Sequence, residues 1–142
     1  MGATRPGYEF FDHTADIGIR AEGSTLAELL VHMAQGLTAL IAKDSVLEPR
    51  ETQAVHLTAP DAESLLLVWL QELLFRFSTG GLLPVVYTLT EATPTAVRGE
   101  VQGARFDPAR HQQGREVKAI TRHLLQVRQT DGRWEGQVVV DI

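Results

Sequence analysis

A chain of 142 residues suits one domain around one well-buried core, and 44% apolar with 22% charged residues is an ordinary globular balance without long disorder. Thirteen basic against eighteen acidic residues leave a net charge of −5; affinity for nucleic acid through phosphates needs a net basic face, so strong direct RNA binding is not expected. The absence of cysteine excludes disulfides, thiolate zinc sites and cysteine nucleophiles, and agrees with a reducing compartment.

In chain order, residues 1–7 carry Arg5 but no apolar stretch, so no signal peptide is expected. Tyr8 to Phe11 reads as a first strand, and Ile17 to Glu22 alternates apolar with small or polar residues, the period-2 pattern of a half-buried strand. Thr25 with Glu28 three residues on forms a capping box that should open a helix. Leu26, Leu29, Leu30, Met33, Ala34, Leu37, Leu40 and Ile41 then follow helical spacing on one face. Gln53 to Thr58 reads as a strand. Ala59-Pro60-Asp61 opens a second helix, whose stripe of Leu65, Val68, Trp69, Leu73 and Phe77 is widened by Leu66, Leu70 and Phe75, until Gly80-Gly81 stops it.

The longest apolar run, Leu65 to Leu70, falls far short of the ~20 residues that span a bilayer, so a cytoplasmic protein without membrane attachment is expected. Beyond Leu83 the pattern turns to strands: Val85 to Thr90, Ala96 to Gln102, Glu116 to Val127 and Trp134 to Asp141. Asp131-Gly132 between the last two predicts a tight hairpin, while Pro108 biases Asp107 away from helix and marks a loop. No repeat or linker divides the chain. The order predicts a single α+β domain over residues 1–142, a sandwich of two helices packed on a largely antiparallel sheet.

The densest polar cluster is Asp12-His13-Thr14-Ala15-Asp16, between the first two strands. Its carboxylates, imidazole and hydroxyl suit a hard cation, but Asp12 and Thr14 can equally bond backbone amides in an Asx- or ST-turn, and a lone His13 is more often a satisfied buried side chain. At the other end, the apolar run Val138-Val139-Val140 closes on Asp141-Ile142, placing a terminal carboxylate beside the Asp141 side chain. Two anions at the end of a buried strand resist desolvation unless a cation or full solvation relieves them. Asp12 supplies a third anion if the first and last strands are neighbours. Oxygen-only donors select Ca²⁺, Mg²⁺ or Mn²⁺ over zinc. Lys118, in a strand of alternating apolar residues, points either to solvent or into a cleft where it could hold a phosphate. The Gly-rich phosphate loops and the Gly-x-Ser-x-Gly elbow do not occur, so a nucleotide-hydrolysing or acyl-transfer enzyme is not supported.

Tyr8 to Ile19 resembles the opening signature of the archease family. The resemblance continues through Trp69 to Phe77 and Glu116 to His123, where Arg122 stands at a position more often aromatic, and closes with Trp134 to Ile142. It implies a compact α+β fold with a divalent-metal site, and a role as accessory factor of RtcB-type RNA ligases in tRNA splicing and RNA repair. There the ligase guanylylates its own histidine from GTP, and the accessory protein promotes that step and multiple turnover. By position, the resemblance places the metal ligands at Asp12, Asp141 and the carboxylate of Ile142, with Ca²⁺ as the expected ion; Asp16, His13 and Lys118 are further functional positions. Some members are linked to RNA methyltransferases as chaperone-like modulators, which is the alternative. A third reading, a metal-dependent hydrolase using Asp12, Asp16 and Asp141 around an activated water, requires an open coordination position and a base such as His13.

Overall fold

The computed structural model describes residues 6–13, 16–43 and 46–142. Thr14 and Ala15 of the polar cluster and the segment Met1 to Arg5 lie outside the described residues, as does the side chain of His13.

The chain begins as a hairpin of β1 (Tyr8–His13) and β2 (Asp16–Gly23), with Asp12 opposite Ile17 and His13 opposite Asp16. Helix α1 (Leu26–Ile41) follows. The Thr25 hydroxyl accepts from the Glu28 N–H at 3.0 Å, and the Glu28 carboxylate accepts from the Ser24 N–H at 2.9 Å. The box therefore closes one residue earlier than the usual reciprocal pattern, still satisfying two orphan amides. The predicted α1 stripe, Leu26 to Ile41, is buried throughout.

Next come β3 (Glu51–Thr58) and helix α2 (Ala62–Gly80), whose first turn is capped by the Asp61 carboxylate accepting from Ser64 N–H at 2.7 Å. Gly81, at φ 73°, ends α2 in the left-handed conformation. Leu66 and Leu70 of the widened stripe are buried, but Phe75 is 60% exposed, on the side of α2 that neither sheet covers. Strands β4 (Leu82–Thr93), β5 (Ala96–Arg105), β6 (Ala119–Thr130) and β7 (Arg133–Asp141) complete the fold. The predicted hairpin between β6 and β7 is present, with Asp131 at φ 52° and Gly132 at φ 76°, the paired positive φ of a type I′ turn.

The α+β sandwich is as expected, with its strands shared between two antiparallel sheets, β1-β2-β7-β6 and β3-β5-β4. Helix α1 packs on β2 and β7 of the first sheet and on β4 of the second; α2 packs on β6 and on the second sheet. The helices thus form a middle layer buried from both sides, which is why their apolar stripes are broad. Trp69 is fully buried between them, its indole N–H donating to the Leu30 carbonyl at 2.9 Å. No described helix is long and apolar enough to cross a membrane.

Two carboxylates make the fold acid-sensitive in a definite direction. The Arg105 guanidinium bonds both Glu51 oxygens at 2.7 Å and holds that carboxyl below its usual range, and the Ser64 N–H does the same to Asp61. A carboxyl whose native pKa is depressed contributes fully above its unfolded value of about 4 and loses that contribution as pH falls through the lower native value. The double variant Glu51→Gln, Asp61→Asn is therefore expected to be less stable at neutral pH and to lose stability less steeply below about pH 4. Urea unfolding across that range checks it; parallel profiles for the two proteins would contradict it.

Candidate functional site

One end of the four-stranded sheet gathers the sequence-predicted residues. β1 finishes there with Asp12 and His13, β2 starts with Asp16, β7 finishes with Asp141 and β6 starts at Ala119. The register then divides them. Directly opposed residues in an antiparallel pair project to the same face, and successive residues to opposite faces. Asp16 is opposite Asp141, which is opposite Ala119, and His13 falls in the same row. Asp12 is opposite Ile17, which is opposite Val140 and then Ile120, so its row faces the helices.

The first and last strands are accordingly not neighbours: β2 lies between β1 and β7. Asp12 is two strand spacings from β7, roughly 10 Å between backbones, and on the opposite face from Asp141. Its side chain is exposed. Asp16, half-buried, stands in the ladder with β7 directly opposite Asp141.

Opposed Cβ atoms in such a pair are about 4.5–5.5 Å apart, and like charges there are destabilising. Elsewhere on this face charges are balanced. Glu9 opposes Arg20, with 3.9 Å between their charged groups, and Arg20 also lies over the Phe11 ring at 4.0 Å. The other like-charged row, Glu22 opposite Glu135, is relieved by Arg133, 3.1 Å from Glu22, and by Arg128 in register with Glu135. The row of Asp16 and Asp141 holds no Arg or Lys. It offers hard oxygen donors, and the next residue, Ile142, packs its side chain against the core. That donor set fits Ca²⁺, Mg²⁺ or Mn²⁺. Among the described residues no three His, Asp or Glu side chains gather as a ligand group.

Lys118 reaches this end by a route the sequence did not reveal. The expected strand from Glu116 starts only at Ala119, because the preceding segment is engaged elsewhere. Gly114 N–H donates to the Ile41 carbonyl and Arg115 N–H to the Leu40 carbonyl, both at 2.8 Å, capping the C-terminus of α1. Three residues on, Lys118 N–H donates to the Asp141 carbonyl at 2.8 Å. The exposed Lys118 side chain lines a cavity on the helix side of the sheet, with Arg115 beside it. Sequence reasoning missed Arg115; its only signal was proximity to Lys118.

The remaining features are not chemical centres. A larger cavity of about 840 Å³ at the far end of the sheet is lined by Arg20, Glu22, Glu28, Arg133 and Glu135, charges of both signs. Tyr87, packed by Trp69, has its phenol pushed well above the ordinary value by burial, which keeps it protonated and inert.

A two-sheet sandwich with a helical middle layer, and an acidic row where its N-terminal hairpin meets its last strand, defines a small α+β class with an oxygen-donor end. The chain belongs to the archease protein family, whose model matches residues 8–142. It is 36% identical to the archease of Methanopyrus kandleri over 138 residues, covering 95% of this chain and 99% of that one. To the archease of Pyrococcus furiosus it is 37% identical over 139 residues, covering 95% and 98%. The solution structure of a Methanobacterium thermoautotrophicum protein superposes with a TM-score of 0.83 at 31% identity, covering 97% of this chain and all of that one. The crystal structure of an archease from Thermotoga maritima, described as a possible chaperone, shares the fold with a TM-score of 0.67 at 21% identity, covering 100% and 99%.

The strap through Gly114 is expected to hold Lys118 in place. A Cβ at Gly114 would overlap the Leu40 carbonyl oxygen, which is backbone and cannot swing aside. Gly114→Ala should cost about 1–3 kcal/mol and speed amide hydrogen exchange at Arg115 and Lys118. Unchanged exchange at both amides would show that the strap does not depend on this close approach.

Proposed function

We propose that the chain is a non-catalytic accessory activator of an RtcB-type RNA ligase in tRNA splicing and RNA repair, and that it works through a divalent cation, Ca²⁺ foremost, held by Asp16, Asp141 and the Ile142 main-chain oxygens. The observation that carries the cation is the directly opposed Asp16–Asp141 pair, a like-charged row with no arginine or lysine in register. The ligase reading follows from family membership together with the resemblance of the four sequence blocks. A net charge of −5 suits docking on an enzyme built to bind RNA, by charge complementarity. When bound, the ion supplies a positive centre that can be presented to a partner's nucleotide chemistry. The chain's own residues hold it: the two aspartates fix it to adjacent strands, and Lys118 places a second cation on the helix side.

The register favours Asp16 over Asp12 as the partner of Asp141, and this separates two variants. Asp16→Asn and Asp141→Asn should each weaken calcium binding by about tenfold or more, about 1.4 kcal/mol, whereas Asp12→Asn should change it by less than about twofold. Without metal, Asp16→Asn should stabilise the fold slightly, by roughly 0.2–1 kcal/mol, through relief of like-charge repulsion. Calorimetric titration and thermal unfolding with and without calcium measure both; a dominant effect of Asp12 would restore the original ligand set.

For the activity, multiple-turnover RNA joining by the cognate ligase should rise on adding this chain, and Asp141→Asn should abolish the rise while the fold persists. Equal turnover with and without the chain refutes the activator reading. The alternative, a chaperone-like modulator of an RNA-modifying enzyme such as a methyltransferase with a structural metal, draws on the description of the Thermotoga maritima relative. It predicts instead that Asp141→Asn loses thermal stability and partner binding together.

A further inference from the structure

The cavity beside Lys118 has a composition that neither the acidic row nor the core packing uses. It measures about 470 Å³, within the range of small-molecule sites. One side is apolar and aromatic, from Ile41, Phe77 and Phe106, the two phenylalanine rings meeting edge to face at 6.0 Å. The other side carries Arg115, Glu116 and Lys118. Among the described residues no carboxylate lies within salt-bridge distance of Arg115 or Lys118. Of the C-terminal carbonyls of α1, which would repel an anion, those of Leu40 and Ile41 are covered by the amides of Arg115 and Gly114. The rim is joined to the acidic row through the Lys118–Asp141 backbone bond.

From these we infer that the cavity between the C-terminal ends of the two helices and the 113–118 strap is a subsite for a nucleoside phosphate. The base lies against Phe106 and Phe77, and the phosphate is held by Lys118 and Arg115. An aromatic wall accepts any base by stacking or edge contact, and Arg and Lys supply a planar fork and a point charge for phosphate. Glu116 opposes the anion and keeps the site weak in the isolated chain. The inference rests on the proposed function, since a phosphate here would lie at the same sheet end as the cation of Asp16 and Asp141.

The test is calorimetric titration of the full chain with GMP, and separately with inorganic phosphate, with and without calcium. GMP should bind with a Kd in the high-micromolar to low-millimolar range, roughly tenfold tighter than phosphate. Lys118→Met and Arg115→Met should each weaken both ligands about fivefold or more, Glu116→Gln should tighten both, and Phe106→Leu should weaken GMP alone. Fluorescence of the buried Trp69 reports that each variant is folded. GMP binding no better than phosphate, or binding indifferent to Lys118→Met, overturns the subsite. Calcium affinity measured on the same samples separates the two ideas: calcium bound without GMP sinks only the subsite. Loss of ligase activation with GMP binding intact sinks only the activator role.

Discussion

The pairing of β2 with β7 is the constraint on which the rest of the structure depends, because it joins residues 16–23 to residues 134–141 across almost the whole chain. Its register is fixed by burial. Ile17 and Ile19 must face the helices alongside Val140 and Val138, and a slip of one residue would turn all four to the outer face. The outer face is specified as well: Gly18 and Val139 oppose each other there, and the Phe11 ring covers the glycine, where any Cβ would collide with it. With both faces demanding the same alignment, the opposition of Asp16 and Asp141 is a forced result of apolar packing one to three residues away.

A second constraint is the helical middle layer. Buried between two sheets, α1 and α2 cannot rely on solvent to satisfy polar groups, so each end is closed by specific partners. Thr25 and Asp61 close the N-termini; Gly81 closes α2; and the strap through Gly114 and Arg115 closes α1. That last cap has a consequence beyond stability. The chain that satisfies the α1 carbonyls runs on directly to Lys118 and Asp141, so helix capping and the placement of the basic side chains are one arrangement.

The helices, most strands and both caps were legible in the sequence because their determinants are local: 3.6-residue stripes, Thr25 with Glu28, Asp61, and Asp131-Gly132. Phe75 was misplaced because an apolar residue on a broad stripe looks the same whether or not a sheet covers it. The start of β6 was misread because residues 116–118 alternate like a strand, while Gly114 and Arg115 just before them are bonded to the end of a helix some seventy residues earlier. At the candidate site, the sequence expected Asp12 to stand beside Asp141, and the register puts Asp16 there instead, at the same end of the sheet. The expectation of Asp12 rested on the first and last strands being neighbours, and which hairpin strand meets β7 is not written in the local sequence. The two-residue spacing of Thr14 and Ala15 hints at a tight hairpin but is silent on the next partner.

Antiparallel sheets normally answer a charge with its opposite across the ladder or with a nearby counterion from the next row. This outer face follows the rule with Glu9 and Arg20, and it corrects the Glu22–Glu135 row with Arg133 and Arg128. The same face leaves Asp16 opposite Asp141 with only Ala119 and His13 in register. Among the described rows of this face, that one alone sets two carboxylates opposite each other with no arginine or lysine in register. Relief could come from arginine or lysine at position 119, as it does at Arg128; the chain carries alanine there instead.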